Sequence, residues 1–271
     1  MKKILLSIAA VGVTLVGASM FAAFEAHVVN VTARIENALE VPLSHIDFGT
    51  VFPQEVLVKD LPVRLSGSFM TEPRVDDVRY FLRQKPKCGV TTDDGQVLVG
   101  PTATGHVIPT LDDANTPGVD ESKGGTAYTI DCGPAPRTLD QNETWGMLPL
   151  LCPYLSKHER SADGLSQEND GSLNAFHVPF TVSNSQVNWL DTPGYLSKLA
   201  QDIDDLWAID LAVPCFGGYC AQDWASHVLS INPLADPAAY TQDIANEHKV
   251  FGCDLWLEVS GVSETPIESV N

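Results

Sequence analysis

Short runs in which apolar and polar residues alternate recur along the chain and restrict the folds that it can adopt. They lie at residues 56–70, 78–83, 207–213 and 250–259, with turn-forming Gly, Pro, Asn and Asp between them. Successive side chains of a strand point to opposite faces, so each run can bury one face. Repeated short strands of this kind are typical of antiparallel sandwiches. The sequence therefore predicts a mainly β chain folded as an antiparallel β-sandwich, with Trp207 in its core.

Two regions break the alternation and predict insertions into the sandwich. Residues 91–125 are rich in Asp, Gly, Pro and Thr and predict a long loop. Residues 215–249 predict a helical excursion with a short helix at 221–231, and the apolar spacing of residues 193–205 is also compatible with a helix. No internal repeat or clear linker divides the chain. We therefore expect residues 23–271 to form a single domain.

The start of the chain has the pattern of an export signal. Two lysines precede an uncharged run from Ile4 to Phe24, which contains small residues near its end. This pattern predicts a signal peptide at residues 1–22, with cleavage at Ala22 and Ala23. The run also reaches the length of roughly 20 residues that spans a bilayer, so an uncleaved membrane anchor is the alternative.

Directly after this signal, residues 27–39 alternate like a strand. One face of this predicted strand carries Val29, Val31, Ala33, Ile35 and Leu39. A strand at a chain end can leave its own sheet and pair with the free edge of another copy. Such a head-to-tail contact need not close, and it then produces filaments. The alternative is that the strand pairs within its own domain.

The N-terminal region resembles the TasA and camelysin family of secreted proteins, which a signal peptidase of the SipW type processes. The resemblance rests on Lys2-Lys3, the block from Gly17 to Phe24, the strand-like run that follows, and the closing run Asp254 to Val259. It implies a jelly-roll sandwich whose mature chain begins near Ala23. It also implies a structural subunit of an extracellular fibre, matrix or cell surface, joined by donation of the N-terminal strand. The expected partners are other copies of the chain and, during export, the SipW-type peptidase.

The camelysin side of the family suggests an alternative function as a secreted metallopeptidase. The sequence contains no HExxH motif, no two histidines at i and i+4, and no Gly-x-Ser-x-Gly elbow. We therefore expect no enzymatic activity, no catalytic residue and no cofactor. A second alternative is a monomeric surface module that binds a glycan or calcium.

The acidic composition restricts the partners. The formal net charge is -19, which repels nucleic acid and anionic lipid, so membrane contact is expected only through an uncleaved signal. Oxygen-rich clusters occur at Asp202–Asp205, Asp112–Asp113 and Glu168–Asp170. Calcium needs about 6–8 oxygen ligands, and none of these clusters supplies that number alone. Structural calcium is accordingly a secondary prediction.

The cysteines predict disulfides. An even number of cysteines in an exported chain suggests up to three bridges, for which about 15 pairings exist. Two pairings have a local reason, since Cys88 and Cys132 flank the predicted loop, and Cys215 and Cys220 flank a flexible Phe-Gly-Gly-Tyr turn. A zinc site is the weaker alternative because the sequence has no CxxC motif. The six candidates are Cys88, Cys132, Cys152, Cys215, Cys220 and Cys253.

Overall fold

The computed structural model describes residues 33–93, 96–109, 128–160, 170–184 and 186–264. Its strands, in chain order, are β1 (Leu39–Glu40), β2 (Val56–Leu65), β3 (Val75–Lys85), β4 (Lys87–Thr92), β5 (Leu98–Thr104), β6 (His106–Pro109), β7 (Tyr128–Asp131), β8 (Glu143–Met147), β9 (Leu155–Glu159), β10 (Phe180–Ser183), β11 (Gln186–Trp189), β12 (Thr192–Ser197), β13 (Asp204–Ala212) and β14 (Asp254–Glu264). Its α-helices are α1 (Gly67–Thr71) and α2 (Trp224–Ile231). All of these elements lie in the unit formed by residues 36–271. The predicted signal peptide and its cleavage site at Ala22 and Ala23 lie outside the described residues.

Two antiparallel sheets form the body of the fold. The first sheet has the order β1-β2-β13-β9, and the second has the order β12-β3-β14. One hydrophobic cluster contains side chains from both sheets. At its centre the rings of Tyr80 on β3 and Trp207 on β13 meet edge to face, with centroids 6.4 Å apart. The chain is therefore a mainly β sandwich, as its alternating pattern predicts.

Alternation along the strands explains which residues fill this core. On β2, Leu61, Val63 and Leu65 are buried, whereas Arg64 between them is exposed. On β13, Trp207 and Ile209 are also buried. Burial of each large apolar side chain contributes about 1.5–3 kcal/mol to stability. Two facing sheets with one apolar side each are the simplest arrangement that removes all of these side chains from water.

Smaller sheets extend from one end of the sandwich, with the orders β5-β4-β8, β6-β7 and β10-β11. They show that the prediction of a loop at 91–125 is wrong in its described part, because β5 and β6 lie within it. Pro101 and Pro109 favoured a loop in the sequence, but β5 is an edge strand of its sheet. An edge strand tolerates proline because one side of it needs no hydrogen-bond donors.

The helical predictions have mixed outcomes. The excursion at 215–249 is confirmed, since it contains α2 and two short 3-10 helices, Pro237–Tyr240 and Ile244–Asn246. The helix-compatible reading of 193–205 is wrong, because this region contains β12, a turn and the start of β13. Pairing of β12 with β3 overrides the local spacing of its apolar residues.

The six cysteines form three disulfides, Cys88–Cys132, Cys152–Cys253 and Cys215–Cys220. The first and third are the pairings for which the sequence offered a local reason. Disulfides of this number are compatible with an extracellular or secreted protein. No helix in the described part of the chain is both long enough and apolar enough to span a membrane.

The first and last predicted strands differ from the observed ones. Of the described residues 33–39 of the predicted first strand, only Leu39 lies in a strand, so the prediction is wrong for residues 33–38. Residues 27–32 lie outside the described residues. A strand requires a hydrogen-bonded neighbour. Because β2 ends at Leu65, which pairs with Leu39, the residues before Leu39 have no residue of β2 opposite them. The closing strand runs from Asp254 to Glu264, later than the predicted 250–259.

Candidate functional site

The N-terminal segment enters the sandwich through a short anchor. Leu39 pairs with Leu65, Glu40 forms an ion pair with Arg64 at 2.8 Å, and Ser66 Oγ donates a hydrogen bond to the Asn37 carbonyl at 2.6 Å. These contacts hold residues 37–40 at the end of β2. They determine where the preceding chain leaves the first sheet.

The residues before this anchor carry the face predicted to be donated. Ala33 and Ile35 are exposed, and Ile35 keeps 93% of its surface accessible. Leu39, in contrast, is half-buried in β1. Val29 and Val31 lie outside the described residues. Of the described residues of the predicted donor face, Ala33 and Ile35 are thus exposed and lie outside any strand, whereas Leu39 pairs within its own sheet.

The strand β14 has a free edge. It pairs along its length with β3, and no described strand lies on its other side. Trp256, Val259 and Val262 are exposed there to 42%, 41% and 45%. An edge strand presents unpaired backbone N–H and C=O groups to any chain that can align with it. In the described part of the protein, β14 is therefore a suitable acceptor for an added strand.

A cluster of carboxylates lies between the two sheets. It consists of Glu159 at the end of β9, Asp205 on β13, and Asp170, which lies outside the strands. One oxygen from each residue lies within 4.8 Å of the other two. The backbone N–H of Tyr195, on β12, donates to Asp170 Oδ1 at 2.7 Å. The cluster therefore gathers side chains from three separate segments and touches both sheets.

Two oxygens of this cluster are buried without a hydrogen-bond partner, Asp170 Oδ2 and Asp205 Oδ1. Asp205 is only 1% exposed. Burial, together with the charges of Asp170 and Asp202, raises the pKa of Asp205 to about 8, although the hydrogen bond from Tyr80 acts in the opposite direction. Burial likewise raises the pKa of Asp170 to about 7. In the described part of the chain, neither aspartate forms an ion pair with a lysine or arginine.

Tyr80 fixes the position of the Asp205 carboxylate. Its hydroxyl donates a hydrogen bond to Asp205 Oδ2 and accepts one from Trp207 Nε1 at 2.7 Å. Gly194 on β12 lies opposite Tyr80, and a Cβ atom at that position would collide with the ring. Burial raises the pKa of Tyr80 above its usual value, so the phenol stays neutral and able to donate.

A second buried polar group supports the sandwich elsewhere. Lys157 Nζ donates to the Leu82 carbonyl at 2.8 Å, and Gln84 Nε2 donates to the Leu155 carbonyl at 3.2 Å. His177 Nε2 lies 2.6 Å from Gln84 Oε1. Lys157 and Gln84 are fully enclosed, so we interpret this group as structural support between β3 and β9.

The carboxylate cluster was only partly predictable. Asp170 and Asp205 belong to two of the oxygen-rich clusters noted in the sequence, but Glu159 was missed. The sequence signal for Glu159 is weak, since it is a single acid between His158 and Arg160 in a chain rich in carboxylates. Asp112 and Asp113, like Glu168, lie outside the described residues.

Comparison of the chain with protein-family models, with curated proteins and with solved structures found no match.

Proposed function

We propose that the protein is a secreted structural subunit of an extracellular fibre or cell-surface matrix, and that its N-terminal segment joins one copy to the next. The observation that supports this most directly is the exposure of Ile35, an apolar residue that lies outside any strand. The segment is anchored at residues 37–40, so it leaves each copy from a defined position.

Addition of this segment to a sheet would stabilise both sides of the contact. Its backbone would gain inter-strand hydrogen bonds, and its alternate side chains would fill apolar positions of the acceptor. Burial of one isoleucine side chain contributes about 1.5–3 kcal/mol, and the predicted face continues through Val29 and Val31. Several such residues together offset the conformational entropy lost when the segment is fixed in a sheet.

The acceptor that we propose is the free edge of β14 in a neighbouring copy. Its exposed Val259 and Val262 offer apolar contacts beside unpaired backbone groups. Because the donor and acceptor are different surfaces of the chain, the contact is head to tail and need not close into a ring. A filament follows from repetition of this one contact.

Secretion is part of the proposal. Three disulfides persist in oxidising compartments, and the predicted signal at residues 1–22 supplies an export route. The resemblance of the N-terminal region suggests that a SipW-type peptidase removes it.

Electron microscopy of the exported protein tests the joint. We expect filaments from the chain that begins near Ala23 and discrete particles from a version that lacks residues 23–35. Ile35→Asp should also give discrete particles, because a charge would enter the apolar contact. Leu234→Asp is the matched control, since Leu234 is as exposed as Ile35, at 95%, but lies elsewhere. Filaments from the shortened chain would place the joint outside the N-terminal segment.

A mixing experiment tests the acceptor edge. Val259→Asp should block filaments by disabling the acceptor, whereas Ile35→Asp disables the donor. Each variant keeps the surface that the other lacks, so an equimolar mixture should form dimers that neither forms alone. Sedimentation that shows only monomers in the mixture would exclude β14 as the acceptor.

A further inference from the structure

The carboxylate cluster at Glu159, Asp170 and Asp205 has the spacing of a cation site. Oxygen atoms from the three residues lie within 4.8 Å of one another. Calcium binds oxygen at about 2.3–2.6 Å, so ligands on opposite sides of one ion are about 5 Å apart. One calcium ion can therefore reach an oxygen of all three residues.

Buried oxygens without partners provide a second observation. Asp205 is 1% exposed, and its Oδ1 atom has no hydrogen-bond donor, as is also true of Asp170 Oδ2. A buried acceptor without a partner costs free energy, and a buried carboxylate costs more. Native proteins rarely leave such atoms unsatisfied, and bound ions are one of the reasons for the exceptions.

In the described part of the chain, no lysine or arginine neutralises Asp170 or Asp205 through an ion pair. Arg160, beside Glu159, pairs with Asp60 at 3.2 Å. A divalent ion held by the cluster would supply positive charge to both aspartates, whereas one shared proton would leave the cluster negatively charged.

We propose that Glu159, Asp170 and Asp205 bind one calcium ion, which links the first sheet to the segment that runs beside β12. Glu159 and Asp205 belong to β9 and β13, and Asp170 accepts a hydrogen bond from Tyr195 on β12. The ion stabilises the sandwich at this point. None of the three ligands belongs to the N-terminal segment, so this proposal does not rest on the proposed assembly.

The donor set favours calcium over other common metals. All three ligands are carboxylates, whereas zinc and copper prefer nitrogen or sulfur donors. Magnesium requires near-octahedral geometry at about 2.0–2.1 Å and retains several waters. Asp202 is 8% exposed and its charge acts on both aspartates, so it is the candidate for a fourth ligand. Water completes the coordination.

Calcium titration of the whole protein tests the site. After treatment with a chelator, CaCl₂ should raise the melting temperature, and calorimetry should show one site stronger than the background. Asp205→Asn keeps the side-chain shape but removes the charge. We expect the calcium affinity to fall at least about 10-fold, because even the replacement of a residue that only hydrogen-bonds a metal ligand costs about that much. Asp204→Asn is the matched control, because Asp204 is the preceding residue on the same strand and is exposed.

Terbium luminescence provides a readout that surface binding does not mimic. Tb³⁺ occupies oxygen sites of the calcium type, and the aromatic pair Tyr80 and Trp207 lies beside Asp205. Excitation of these rings should therefore sensitise Tb³⁺ emission, and calcium should suppress it by competition. The emission should persist in Asp204→Asn and disappear in Asp205→Asn.

A second variant covers the case in which Asp205→Asn does not fold. If Asp205→Asn loses its near-ultraviolet circular dichroism, Glu159→Gln, which alters a partly exposed ligand, replaces it in every measurement. Equal calcium binding by the wild type and these variants would mean diffuse binding to the acidic surface and would overturn the proposal. A wild-type melting temperature unaffected by millimolar calcium would overturn it as well.

Discussion

The hydroxyl of Tyr80 donates a hydrogen bond to the carboxylate of Asp205, and this bond joins the two sheets of the sandwich through their common core. Tyr80 lies on β3 and Asp205 on β13, 125 positions apart in the sequence. The same hydroxyl accepts a hydrogen bond from Trp207 Nε1. One phenol therefore satisfies two buried polar groups and holds one carboxylate of the acidic cluster in place.

Replacement of this phenol should destabilise the protein. Tyr80→Phe leaves Trp207 Nε1 and Asp205 Oδ2 buried without their partner, at a cost of about 1–3 kcal/mol for each group. Urea unfolding at fixed calcium concentration measures the loss. Tyr219→Phe is the control, since Tyr219 is 78% exposed, and it should change stability by less than about 0.5 kcal/mol. Equal stability of both variants would contradict a supporting role for the Tyr80 hydroxyl.

The disulfides should contribute unequally to stability. Cys152 and Cys253 are 101 residues apart, whereas Cys215 and Cys220 are 5 apart. In the chain-entropy description, a loop of about 100 residues gives about 4.7 kcal/mol and one of about 5 residues gives roughly 2 kcal/mol. Replacement of the first pair by alanine should therefore lower the urea midpoint more than replacement of the second.

Non-reducing unfolding of the two double variants, with the other bridges intact, makes this comparison. A larger loss on removal of the short bridge would show that its local packing, rather than restriction of the unfolded chain, determines its contribution.

The buried histidine should make stability depend on pH. Burial lowers the pKa of His177 to about 4, although the Asn174 carbonyl acts in the opposite direction. Histidine in the unfolded chain has a pKa of about 6.5. Between pH 6.5 and pH 4, the unfolded chain therefore binds more protons at His177 than the folded chain does. The free energy of unfolding therefore falls as the pH falls through this range, by up to about 1.4 kcal/mol per pH unit from this residue.

Removal of the imidazole isolates this effect. His177→Gln should have a flatter stability profile between pH 6.5 and 4 than the wild type, as measured by urea midpoints. His45→Gln replaces an exposed histidine and should retain the wild-type profile. Parallel profiles for His177→Gln and the wild type would assign the acid sensitivity to other groups.

The strands of the central sheets were predictable because their alternation matches burial. Leu61 and Val63 on β2, and Trp207 on β13, recur at the two-residue period that places them on one face. The short disulfide was predictable for a similar reason, since its cysteines flank a turn. In each case the information lies within a few neighbouring residues.

The incorrect predictions fall where distant pairing decides the local structure. Pro101 suggested a loop, but β5 accommodates it as an edge strand of a sheet that β4 and β8 complete. Leu196 had a helix-compatible neighbourhood, yet its pairing with Val78 on β3 makes it part of β12. Neither neighbour can be identified from the composition of the segment itself.

The mainly β class, the buried faces of the main strands and the helical excursion follow from the amino-acid pattern alone, because periodicity and turn residues are local properties. The meeting of Glu159, Asp170 and Asp205 follows instead from the way the chain folds. The residues lie on separate segments, and their convergence depends on the pairing of β9 with β13 and on the path of the chain beside β12. Carboxylates are common in a chain with a net charge of -19, so proximity in three dimensions, rather than their number, distinguishes these three from the rest.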